Sequence, residues 1–156
     1  MNHRLSLIAI LALAPVAHAA EVTPAAVVAK ARDEIWALEQ SIYQGRAKAG
    51  LSFYLDNASP NYMGWPPQAA KPMDLGALKT SAPELTANNK EKLTMALSGF
   101  TLQGDTGVIY YNTHRTMRAD GTPVDERFEV IHVWLRSGGK WTIIGAMARA
   151  EPKRGG

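Results

Sequence analysis

The chain has 156 residues, with 17 basic side chains against 14 acidic ones and no cysteine. Disulfides, thiol catalysis and thiolate metal sites are therefore excluded. The small basic surplus forms no Lys/Arg cluster or basic helix stripe, with only Lys153-Arg154 adjacent, so no nucleic-acid partner is expected.

The N-terminus, MNHRLSLIAILALAPVAHAAE, has a positive start at Arg4, an apolar stretch from Leu5 to Ala14 and small residues at Ala17 and Ala19. This is the pattern of a secretory signal cleaved after Ala19. The stretch is too short for a membrane anchor, which needs about 20 apolar residues. The expected organisation is a signal peptide at 1–19, a single domain at 20–152 and a disordered basic tail at 153–156, in a periplasmic or secreted protein without a membrane anchor after cleavage. A single core suits this length.

Thr23-Pro24 reads as an N-cap followed by proline in the first helical turn. In the run AAVVAKARDEIWALEQSIYQGRAKAG, Val28, Ala31, Ile35, Leu38 and Ile42 recur at steps of three or four. This predicts an amphipathic helix with Lys30, Asp33, Glu34 and Glu39 largely on its other side, ended by Gly45 or Gly50. The segment LSFYLDNASPNYMGWPPQAAKPMD starts as a short apolar element and turns proline-rich and irregular. Trp65-Pro66-Pro67 is extended there, and Leu75 to Leu78 predicts one or two helical turns before Pro83.

From Lys92 the pattern becomes alternation broken by Gly104-Asp105, Asp120-Gly121 and Gly138-Gly139, which predicts an antiparallel meander of four long strands. Helices first and strands after give an α+β fold. With even-length loops, one sheet face carries Val130, His132, Trp134 and Arg136 opposite Met147, Gly145, Ile143 and Trp141. The same face takes Tyr111, Thr113 and Arg115, then Phe100, Ser98 and Ala96. Such a mixed surface suits a lined cavity. The opposite face, with Glu129, Ile131, Val133, Leu135, Ile144 and Ala146, is too apolar to leave in water, so a homodimer through it is expected.

A capped helix, a Trp-Pro segment and a meander ending in VWLRSGGKWTIIGAM, with two tryptophans flanking a glycine turn before Ile-Ile-Gly, resemble the nuclear-transport-factor-2-like superfamily, in its SnoaL-like branch. The resemblance implies a cone, in which N-terminal helices lie in the concave face of a curved antiparallel sheet and leave a pocket between. It implies no single activity, since isomerases, cyclases, dehydratases and adaptors share this fold. Against the ketosteroid isomerases, His132 stands at the position of their hydrogen-bond-donating acid. Met63-Gly64-Trp65 stands where they place a catalytic carboxylate, and Leu38 replaces their helical tyrosine.

His132 is the candidate acid/base, against the alternative of a buried histidine satisfied by Tyr111. The candidate ligand-binding residues are Trp65, Tyr111, Arg115, Trp134, Met147 and Arg149. Trp134 and Trp141 serve equally as core, whereas Trp65 suits a pocket lip. Arg115 and Arg149 suit a ligand carboxylate, or snorkel to solvent. His114 belongs to the other face, with Glu129 paired to Arg127 or His114. The two histidines lack a third metal ligand, and no cofactor motif is present. Three functions follow: a pocket for a small hydrophobic or aromatic molecule, an isomerase, dehydratase or cyclase using His132, or a non-catalytic dimeric interaction protein. A carboxylate within reach of His132, from Asp56 or Glu129, would favour the enzyme; Trp65 and Met147 plugging the cavity would favour the interaction protein.

Overall fold

A computed structural model of the chain describes residues 23–81, 83 and 85–152. The signal segment and the basic tail expected from the sequence lie outside the described residues. Helix α1 (Ala25–Ala49) buries Ala31, Ile35, Glu39 and Ile42, and Gly50 ends it. Thr23, expected as its N-cap, stands one residue outside; Pro24 occupies the cap position with no side-chain hydrogen bond. Its carbonyl instead accepts from Val27 and Val28. Two short helices follow the long one, α2 (Ser52–Asn57) and α3 (Leu75–Ser81).

The strands are β1 (Ala58–Trp65), β2 (Met73–Asp74), β3 (Lys92–Gln103), β4 (Thr106–Met117), β5 (Pro123–Ser137) and β6 (Lys140–Ala150). They form one six-stranded sheet in the order β2-β1-β6-β5-β4-β3. The meander is the β3 to β6 part. Strand β1 is absent from the sequence expectation, and it runs parallel to β6, so the sheet is not wholly antiparallel. Pro60 explains how it is hidden. The ladder slips between Ala58 and Met63 around it, at a place where proline has no N–H to give.

Two bulges correct the expected faces. Val133 pairs with Gly145 but Trp134 with Ile143, so Ile144 is the extra residue. His132 therefore faces Ala146 and Val130 faces Ala148, which turns Ala146 and Ala148 inward and Gly145, Met147 and Arg149 outward. A second slip between Leu97 and Gly99 gives Leu97 and Met95 as partners of Tyr111 and Thr113, displacing Ser98 and Ala96 from the inner face. The pairing of β4 with β5 holds as expected along Tyr111, Thr113 and Arg115.

The curved, unclosed sheet wraps α1, and the core lies between them, built on Ile35, Ile42, Ile109, Trp134 and Ile143, all fully buried. Gly107 sets the closest approach. A Cβ there would sit 2.7 Å from Cδ1 of Ile35 and 3.2 Å from Cε2 of Phe100, so a larger residue would push these packed side chains aside.

Candidate functional site

Steps of four, three and four along α1 place Glu39 and Arg46 on the same stripe as Ile35 and Ile42. Glu39 consequently points into the core and is 0 % exposed. Three side chains from the sheet converge on it. The Trp134 Nε1–H donates to Oε1 at 2.7 Å, and the Tyr111 hydroxyl donates to Oε2 at 2.9 Å. His132 Nδ1 lies 2.7 Å from Oε1. Tryptophan has only a donor to offer, so an ionised carboxylate satisfies all three partners when the ring hydrogen is on Nδ1. That assignment leaves Nε2 of a neutral His132 as an acceptor. Among the described residues no hydrogen bond reaches Nε2.

His132 lines a cavity of about 370 Å³ between the helices and the sheet. The edges of Tyr54 and Tyr111 pack against its ring, with centroids at 5.6 and 5.7 Å. Tyr54 and Tyr62 share a hydroxyl–hydroxyl bond of 2.9 Å and both line the cavity. In such a pair one hydroxyl donates to the other, whose own hydrogen stays available to a ligand. Burial, followed by the charges of neighbouring tyrosines, pushes the Tyr54 and Tyr111 hydroxyls well above their ordinary value. All of them are therefore donors near neutral pH. Leu51, Leu78, Leu85, Leu93 and Val130 supply apolar wall, and Arg46 and Arg115 reach the lining from α1 and β4.

Behind those arginines lies a chain of ions. Glu91, 3 % exposed at its side chain, receives Arg46 Nη2 at 3.1 Å and has Arg115 Nε at 2.9 Å. Glu126 takes Arg115 Nη1 at 3.1 Å and also binds Arg118. Burial raises the Glu126 carboxyl, but the hydrogen bond and charge of Arg118, together with Arg115, outweigh it and hold the group below the ordinary carboxylate range.

Of the residues singled out in the sequence, His132, Trp65, Arg115 and Met147 border the cavity. Trp65 and Met147 are 45 % and 44 % exposed, so they form its rim and do not plug it. Tyr111 and Trp134 stand behind the cavity, holding Glu39. Arg149 lies on the other face of the sheet, 2.5 Å from Glu129, because the Ile144 bulge reverses the end of β6. His114 pairs with Asp125 at 2.6 Å. The carboxylate that meets His132 is neither Asp56 nor Glu129 but Glu39. Its signal was its place four residues after Ile35 and three before Ile42.

No protein-family model and no curated protein matches the sequence. Solved structures do match in fold. The CaMKII hub homology domain of Chlamydomonas reinhardtii is similar at a TM-score of 0.64 and 20% identity, over 78% of this chain and 99% of that one. An NTF2-like protein of unknown function from Shewanella baltica OS155 gives 0.62 and 14%, over 80% and 97%. A candidate ketosteroid isomerase from Parabacteroides distasonis gives 0.60 and 13%, over 76% and 86%.

Proposed function

We propose that this chain, whose fold is the nuclear-transport-factor-2-like cone, is a small-molecule-binding protein, and that its cavity takes a compact, largely apolar or aromatic ligand. The observation that carries this reading is the aromatic-walled cavity of about 370 Å³ with the His132 ring on its surface. Small-ligand sites run from about 300 to 1,000 Å³ and combine apolar walls with a few placed polar groups.

A second reading is catalytic, and the Glu39–His132 pair is what favours it. With Nδ1–H held by Glu39, Nε2 takes a proton from a carbon beside a ligand carbonyl, and the resulting imidazolium, lying against the carboxylate, returns it at another carbon. This is isomerase-type chemistry and needs no co-reactant.

One set of samples tests both readings. Small aromatic compounds, ketones among them, are screened by thermal denaturation of the wild type and of Leu78→Trp, which fills the cavity. A ligand present at about one hundred times its Kd is expected to stabilise the wild type by about 2.7 kcal/mol and the filled variant far less. Equal shifts in both proteins would place binding elsewhere. Exchange of a bound ketone's α-protons in D2O, lost in His132→Gln, selects the enzyme.

We also infer that a second copy covers the outer sheet face. Across β4, β5, β6 and β1 the paired residues Tyr110, Ile131, Met147 and Trp65 form an apolar row beside Val108, Val133 and Met63. Tyr110 and Met63 are 40 % and 51 % exposed. Light scattering is expected to give twice the chain mass for the wild type and the single mass for Ile131→Lys; a monomeric wild type refutes the inference.

A further inference from the structure

The cavity wall carries two guanidinium groups and, among the described residues, no carboxylate. Arg46 and Arg115 line it, whereas Glu91 and Glu126 stand behind them. We propose that this face of the cavity is an anion subsite, and that the ligand class is a small organic acid with an apolar body and a carboxylate that docks on Arg46 and Arg115. The proposal rests on the binding reading above.

Several features hold the two guanidiniums ready. Glu91 sits between them, 3.0 Å from Arg46 Nε and 2.9 Å from Arg115 Nε, and anchors both from behind. Aromatic faces fix their planes, with Arg46 5.2 Å from the Tyr43 ring centre and Arg115 5.8 Å from that of Phe128. Tyr43 and Phe128 also line the cavity, so each guanidinium is pressed to the wall.

The donor count favours an incoming anion as well. Each guanidinium has five N–H donors, and a carboxylate accepts from two in parallel. Among the described residues, Arg46 Nη1 and Arg115 Nη2 donate no hydrogen bond. The buried Nε atoms of both arginines lie near Glu91 without well-aligned bonds to it.

The test compares acids with their amides, which have the same shape and no charge. Phenylacetate and phenylbutyrate are titrated into the full chain beside phenylacetamide and phenylbutyramide, with calorimetric and thermal-shift readouts. The acids are expected to bind about tenfold tighter or more. Arg115→Gln is expected to bring the acids down to the affinity of the amides. Because loss of Arg115 also strips Glu91 of a partner, salt gives a check without mutation: raising ionic strength from about 0.05 M to about 0.5 M should weaken the acids and leave the amides unchanged. Acids and amides binding equally well would overturn the anion subsite and leave the binding cavity standing. Binding by neither would overturn both.

Discussion

Replacing Glu39 with alanine is expected to cost on the order of 3–5 kcal/mol in urea denaturation, the range for removing one partner of a buried ionic group. The substitution removes the only hydrogen-bond acceptor that Trp134 Nε1 has among the described residues, and takes the partners of Tyr111 and His132 Nδ1. These residues are at most 3 % exposed. Each orphaned donor alone costs about 1–3 kcal/mol. The sum is reduced where Tyr111 and His132, 3.4 Å apart, turn to each other. A domain of this size has about 5–15 kcal/mol to lose, so the variant remains folded only marginally. Glu39→Gln should fall between, near 1–3 kcal/mol, because an amide offers one acceptor oxygen where three donors converge. A loss under about 1 kcal/mol for alanine would mean that water replaces the carboxylate and that Glu39 does not support His132.

The order and type of the main elements follow from pattern alone, because hydrophobic period and glycine turns are local signals. Residues 92–150 alternate and break at three glycine-containing turns, and they form the meander. What the pattern does not contain is the place where alternation slips. The extra residue at Ile144 looks like any other strand position, and it alone decides that Ala146 and not Gly145 stands opposite His132. Arg149 leaves the site for the same reason. Strand β1 was hidden because its pairing is long-range and parallel to β6, with Pro60 and Gly64 arguing against a strand in the local sequence.

Glu39 failed to stand out for a different cause. Composition marks glutamate as a surface residue, yet its helical angle lies within about 60° of those of Ile35 and Ile42, on the buried side of the helix. Charged residues on the apolar stripe of a helix are the informative exception, and α1 has two, Glu39 and Arg46. Both serve the cavity. Glu39 holds its histidine and Arg46 joins its cationic wall.

The link between the end of α1 and the cavity rim leads to the second large effect. Gly50 stands at φ 61 and ψ −134, a backbone region that residues with a side chain rarely adopt. A Cβ at this position would come within 2.0 Å of the Leu85 carbonyl oxygen. Backbone cannot swing aside as a flexible side chain does. The same stretch is tied to the helix by the Asn88 amide donating to the Lys48 carbonyl at 3.1 Å and by the Ala49–Ala87 bridge. Gly50→Ala therefore forces either the helix end or the segment at Leu85 outward. Backbone strain alone is worth about 1–3 kcal/mol, and the overlap adds to it, so a loss of about 2–4 kcal/mol is expected. Leu51 and Leu85 both line the cavity, so ligand affinity should fall along with stability. Gly138→Ala is the control. It has positive φ at 57 but nothing within 4 Å of the added methyl. It should show the strain cost alone and leave binding unchanged. If the two variants lose the same stability and the same affinity, the contact with Leu85 contributes nothing, and the rim is not built on the end of α1.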